Sequence, residues 1–241
     1  MQTLNFKAAV WQKLLAFDKK NCLFKTKAAA LVGLSGGADS AALLHFAAHM
    51  ARKKQFKLFA CHVNHGLRKQ AGRDAAFAQN LALKLGVPFI LKNVNVKEVA
   101  KKYKLSAEHA ARKARYAALE EAAKENKCAK IALAHHLDDH AETILLNLLR
   151  GTKAKGLLGI PVKRMLGKTE IIRPFLCITR AQILAYIKEN KLDYIDDETN
   201  FEDIYTRNWV RLKLLPALES RQPQIRQHLF EISADLAKYI K

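Results

Sequence analysis

Four short apolar runs, at residues 28–34, 57–63, 87–94 and 130–134, constrain the fold of this chain more than any other feature. A strand covered on both faces reads as a continuous apolar run, whereas a half-exposed strand alternates. Amphipathic patterns of helical period separate the runs, at about 39–53, 71–85 and 106–126, with another at 138–149. This alternation predicts an α/β protein with a doubly wound, mostly parallel sheet, right-handed crossovers and helices on both faces. Gly86-Val87-Pro88 reads as a helix stop followed by a strand start. The segment 151–167, rich in Gly and Lys with weak periodicity, reads as a mobile loop. Beyond Pro174 the pattern gives a helix at 179–190, an acidic turn at 193–203 and helices at 206–219 and 223–240, with Pro216 and Pro223 bracketing the last break. Trp11 and Phe17 read as helix packing in the N-terminal segment. The expected organisation is a main domain at 1–190 and a small helical extension at 191–241.

Among 241 residues, 42 Lys and Arg oppose 22 Asp and Glu, for a net charge of +20. Half the residues are hydrophobic, which suits a sizeable core and excludes wholesale disorder. No apolar run approaches the roughly 18–20 residues of a membrane span, and Lys7, Lys13, Asp18, Lys19 and Lys20 interrupt any signal-peptide core. Cys22, Cys61, Cys128 and Cys177 form no CxxC pair, which speaks against a zinc ribbon or a secreted disulfide framework. A cytoplasmic location is the expectation. The charge is blocked: residues 150–180 hold eight basic residues against Glu170 alone, and 193–203 hold six acids and no base. That distribution predicts a basic face for a polyanion such as RNA, although a merely solvated Lys-rich surface gives the same composition.

The sharpest chemical signal is Ser35-Gly36-Gly37-Ala38-Asp39-Ser40, between the first run and a helix. Adjacent glycines let backbone N–H groups turn toward an anion, the helix start adds its positive dipole end, and Ser35 and Ser40 add hydroxyls. Asp39 brings negative charge to such a site, which makes sense if it holds a Mg²⁺ that neutralises phosphates. A plain glycine turn with an Asp-capped helix is the bland alternative.

This loop resembles the pyrophosphate loop of the N-type ATP pyrophosphatases, the PP-loop superfamily, rather than a Walker loop. Further segments resemble the tRNA(Ile)-lysidine synthetase family within it. They are Cys61-His62-Val63-Asn64-His65-Gly66-Leu67-Arg68, with Asn64 where the family has Asp, and Ala134-His135-His136-Leu137-Asp138-Asp139-His140-Ala141-Glu142-Thr143, with His140 for Gln. Asp196-Asp197-Glu198-Thr199-Asn200 with Tyr205-Thr206-Arg207-Asn208 and Arg211, Arg173-Pro174-Phe175, and Ala111-Arg112-Lys113-Ala114-Arg115-Tyr116 follow the same family's order. The matching segments span roughly residues 28–216.

The resemblance implies ATP and Mg²⁺ as cofactors, with free L-lysine and a CAU-anticodon tRNA(Ile) as substrates. The implied reaction adenylates the wobble cytidine and then ligates lysine to C2, giving lysidine, AMP and pyrophosphate. It implies nucleotide contacts at Ser35, Gly36, Gly37, Ala38, Asp39, Ser40, His62 and His136, with Mg²⁺ on Asp39. The expected catalytic set is Asp39, Asp139, Glu142, Arg112 and Arg115, and the expected RNA contacts are Lys153, Lys155, Lys163, Arg207 and Arg211. The family usually continues into C-terminal tRNA-binding domains; the expectation is a chain without them, either naturally minimal or truncated, and a homodimer is left open.

Residue chemistry stands beside the resemblance. Asp139 and Glu142, three apart, share a helix face near its first turn and suit an ammonium or Mg²⁺, while Asp138 reads as a complement to the helix dipole. Arg112 and Arg115 can face one phosphate or simply lie on a solvated helix face. His135, His136 and His140 read as nucleotide contacts or caps rather than a metal set. Two competing functions remain: a tRNA thiolase, for which no cysteine pair is present, and a non-catalytic RNA-binding module.

Overall fold

The computed structural model describes residues 2–25, 28–66, 71–195 and 205–240. The chain runs α1 (Gln2–Asn21), β1 (Ala29–Gly33), α2 (Ala38–Lys54), β2 (Leu58–Asn64), α3 (Ala71–Lys84), β3 (Phe89–Asn93), α4 (Val96–Tyr103), α5 (Ala107–Glu125), β4 (Cys128–Ala132) and α6 (Leu137–Leu149). A 3-10 turn at Ala154–Leu158 leads to β5 (Lys163–Leu166) and β6 (Thr169–Ile172), and another at Pro174–Cys177 leads to α7 (Arg180–Asn190). The described chain ends in α8 (Tyr205–Trp209), a π-helical stretch at Val210–Leu214, α9 (Leu215–Arg221) and α10 (Ile225–Leu236).

The sheet order is β3-β2-β1-β4-β6-β5, parallel throughout except for the β5–β6 pair. The doubly wound expectation therefore holds, with an antiparallel edge strand. Period-two alternation splits the core between the two faces. Ala30 and Val32 of β1 join Leu43, Phe46 and Phe175 under α1, α2 and α7, while Leu31 joins Leu119, Ile131 and Ile171 under α5. Trp11 packs edge-on against Phe46 at 5.2 Å between ring centres, so the N-terminal helix belongs to the first layer. Because β1 lies between β2 and β4, the crossover direction reverses between the carboxyl ends of β1 and β4, where such sheets bind ligands.

The structure departs from the sequence reading in two places. Residues 151–167 form an ordered turn and the strand β5 instead of a mobile loop. Gly159 has φ +59°, and a Cβ there would come within 2.7 Å of His140, so this glycine permits close packing onto α6. Asn147 of α6 donates to the Gly156 carbonyl at 2.8 Å and fixes the same turn. Helix α4 was not anticipated; Asn95 caps it by accepting from the Glu98 N–H at 3.2 Å. Pro216 starts α9, where a missing N–H costs nothing, and the break at Gln222 falls between Pro216 and Pro223 as expected.

The helices beyond residue 205 cover α6. Val210 and Leu215 pack with Ala141, Leu145 and Leu146, and Ser233 of α10 bonds His140 Nε2 at 2.9 Å. His140 Nδ1 lies 3.1 Å from both the N–H and the carbonyl of Ile160, so both ring nitrogens are engaged. Burial holds this imidazole below its ordinary pKa, so it works as a neutral clamp. No helix among the described residues is long and apolar enough to cross a membrane.

Candidate active site

The loop after β1 turns on Gly36, whose φ of +95° favours glycine, while Gly37 sits at −71°. Ser40 Oγ accepts from the Ser35 and Gly36 N–H groups at 3.1 and 3.2 Å and donates to the Gly37 carbonyl at 2.9 Å. Ser35 and Ser40 thus tie the turn together here, and the N–H groups of Ser35 and Gly36 are spent on it. The donors at the mouth come instead from α2, which has no side-chain cap. Its first N–H groups, from Ala38 onward, have no intrahelical acceptor and point at the same place. His62, buried in β2, donates from Nδ1 to the Leu34 carbonyl at 2.8 Å and supports the loop from below.

Gly36→Ala is expected to cost about 1–3 kcal/mol of stability through its positive φ. Gly37→Ala, with its nearest neighbour at an ordinary 3.7 Å, is expected to cost less than about 1 kcal/mol. Thermal melts of the two variants check the difference.

His136 joins the two loops at the switch point. Its Nε2 lies 4.0 Å from Asp39 Oδ2 and 3.5 Å from Asp139 Oδ2, and its Nδ1 lies 3.3 Å from Asp138 Oδ2. Asp139 also accepts the His136 N–H at 3.0 Å, closing the first turn of α6. Burial would lower the His136 pKa, but the three carboxylates outweigh it and raise it, which favours the imidazolium. Asp39 further ion-pairs with Arg180 at the start of α7. A single hard carboxylate beside free helix N–H donors fits Mg²⁺, which keeps most of its ligands as water and phosphate oxygen.

Asp138 anchors the surrounding helices. It accepts from the Arg180 N–H at 2.7 Å and pairs with Arg226 of α10 at 2.8 Å. Burial would raise its pKa, but His136, the Arg180 N–H and Arg226 outweigh it and bring it from 3.8 to about 2. A carboxylate depressed in the folded state stabilises above its unfolded pKa and loses that contribution as pH falls toward the folded one. Asp138→Asn is therefore expected to cost about 2 kcal/mol at neutral pH, with a gap to the parent that closes between about pH 4 and 2. Melting curves across that range check it.

The remaining expected residues fall in three places. Glu142 is 2% exposed, and Arg211 donates to both its oxygens at 2.7 and 3.1 Å. Arg211, expected as an RNA contact, is thus engaged with a buried acid, and Glu142 lies behind the half-buried Asp139. Burial raises the Glu142 pKa despite Arg211. Arg112 and Arg115 lie over Tyr116 at 5.2 and 5.7 Å, near His135 rather than against the loop. Lys153 and Lys155 are exposed on the turn after α6, and Lys163 sits in β5, 4.0 Å from Glu170. Arg207 lies in α8. The acidic run Asp196–Asn200 and Leu67-Arg68 lie outside the described residues. Sequence reasoning missed Arg180 and Arg226 as partners of the aspartates. Arg180 immediately follows the capping Thr179, which was the available signal.

The family model described as a PP-loop domain matches residues 7–218. The chain belongs to the PP-loop domain family. It is 42% identical over 210 residues to a tRNA(Ile)-lysidine synthase of Caldanaerobacter subterraneus, covering 86% of this chain and 44% of that protein. It is 39% identical over 228 residues to one from Bacteroides thetaiotaomicron, covering 94% and 52%. The chain thus spans about half the length of the curated relatives it matches. A solved U34-tRNA thiolase from Methanococcus maripaludis shares the fold with a TM-score of 0.81 at 21% identity, over 98% of this chain and 81% of that one. The Ser35–Ser40 turn lies at the sheet edge where a fold of this class places a ligand.

Proposed function

We propose that this chain is the catalytic part of a tRNA(Ile)-lysidine synthetase, acting in the cytoplasm. It would ligate free lysine to C2 of the wobble cytidine of a CAU-anticodon tRNA, using ATP. One observation supports this reading most: Asp39 of the phosphate loop and Asp139 of the following switch-point loop flank one edge of His136. That proximity supports nucleotide chemistry and amine binding next to one another.

In the first step the α-phosphate of ATP is transferred to the C2 oxygen of cytidine and pyrophosphate leaves. The free N–H groups of α2 would stabilise charge on the phosphates, already oriented and costing no reorganisation. Mg²⁺ held by Asp39 would supply further neutralisation of that charge. In the second step the ε-amine of lysine attacks C2 and AMP leaves with the oxygen. Asp139, half-buried at the mouth, would grip the ammonium and accept its proton. Glu142, fixed by Arg211, would set the negative potential behind it. Lys153, Lys155, Lys163 and Arg207 would contact the RNA backbone, and Arg112 and Arg115 would hold phosphate.

The thiolase alternative finds little support in the cysteines. Burial pushes the Cys61, Cys128 and Cys177 thiols up to about 12, 11 and 12, so they stay protonated and poorly nucleophilic. Incubation with ATP, Mg²⁺ and a CAU-anticodon transcript is expected to release AMP and pyrophosphate. ADP and phosphate as the main products would overturn the reading.

A further inference from the structure

A second cationic centre lies beside the site, built by four arginines around one tyrosine. Tyr116 of α5 is buried, and the guanidinium carbons of Arg164, Arg112 and Arg115 stand 4.6, 5.2 and 5.7 Å from its ring centre. Arg173, just beyond β6, faces the Tyr116 hydroxyl. All four lie at the carboxyl edge of the sheet. Arg173 follows the end of β6, and Arg164 is paired with Ile171 in the antiparallel β5. The arginines of α5 come from the helix that leads into β4. Their charge and that of Asp139 both reach His135, with opposite effect.

The charge balance of this cluster is incomplete. Arg173 is 2% exposed; its Nη1 donates to the Pro161 carbonyl at 2.6 Å, but its buried Nε has no acceptor. Among the described residues none of the four arginines ion-pairs with a carboxylate. Cation–π contact contributes only about 0.5–2 kcal/mol per pair and neutralises nothing. Arg112 is exposed, Arg115 and Arg164 are half-buried and only Arg173 is buried, where a charge without a counter-charge is costly. Burial and neighbouring guanidiniums lower the pKa of Arg115 and Arg173. Burial would raise the Tyr116 phenol, but the arginines outweigh it and draw it down.

We infer that Arg112, Arg115, Arg164 and Arg173 form a phosphate-binding subsite, with Arg173 as its buried floor and Tyr116 as its platform. Planar guanidinium forks match phosphate oxygens in pairs, and four of them suit a phosphate better than a monocarboxylate. Two sources share that chemistry: a phosphodiester of the RNA next to the reacting nucleotide, or the outer phosphates of ATP. The choice between these sources rests on the function proposed above; the existence of the subsite rests on charge and burial alone.

The test compares the full chain with Arg164→Gln, at a half-buried position, and with Arg173→Gln, which serves only if it melts like the parent. Exposed Lys97→Gln controls for the loss of one charge. Inorganic phosphate, titrated by calorimetry at constant ionic strength, is expected to bind at least about fivefold more weakly to Arg164→Gln, with Lys97→Gln unchanged. A CAU-anticodon transcript and Mg²⁺–ATP then identify the source: at least a tenfold loss for RNA alone assigns the phosphodiester, and for ATP alone the outer phosphates. Phosphate, RNA and ATP affinities all within twofold of the parent overturn the subsite. A parent that binds phosphate in this way but never modifies tRNA would instead remove the function and leave the subsite standing.

Discussion

Asp39→Asn is expected to lower ATP turnover by about 10²–10³-fold, the range seen when one group facing developing charge is removed. The side chain lies in the first turn of α2, next to backbone donors without side-chain caps, and meets Arg180 and His136. Asparagine keeps the shape and removes the charge that Mg²⁺ would need. Stability should barely change, because a partly exposed ion pair contributes only about 0–1 kcal/mol. Steady-state release of AMP and a melting curve on the same sample separate the two effects. Turnover within threefold of the parent would remove Asp39 from the chemistry.

The second large effect is expected at Arg211. Its removal leaves Glu142 almost fully buried without its cation. Breaking a fully buried pair costs about 3–5 kcal/mol, and the 38% exposure of the Arg211 side chain reduces this to about 2–3 kcal/mol, because water already screens one partner. The sign with pH follows from the carboxylate. Without Arg211 the Glu142 pKa, already raised, rises further, so stability present at low pH is lost as pH climbs through that value. Arg211→Ala should therefore be near parent stability at about pH 4 and clearly weaker at pH 8. If function follows the proposal, Glu142→Gln, which keeps the volume, should raise the lysine requirement more than the ATP requirement. A uniform destabilisation across pH would deny the pair its electrostatic role.

The fold was largely legible because its strands are buried on both faces and so appear as apolar runs. The glycine turn before α2 was legible because glycine geometry and helix polarity are local properties. What escaped notice depends on contacts between distant segments. Strand β5 has little apolar content, and the glycines around it looked like mobility, whereas Gly159 serves close packing against His140. Arg211 looked like an RNA contact because no spacing rule ties it to Glu142, sixty-nine residues away. Asp138 read as a dipole complement, and the structure adds Arg226 from α10 and the N–H of Arg180 to its partners. Arg112 and Arg115 were visible as a pair on one helix face, but Arg164 and Arg173 join them only once β5 and β6 close the sheet edge.

The most direct measurement supplies radiolabelled lysine, ATP and Mg²⁺ to the chain with a CAU-anticodon tRNA(Ile) transcript. Acid-precipitable label is then followed over time, with a transcript carrying guanosine at the wobble position alongside. Label entering the CAU transcript only when ATP is present, with an equal amount of AMP released, is the expected result. AMP release without label in either RNA, or equal label in both, would contradict lysine ligation at the wobble cytidine.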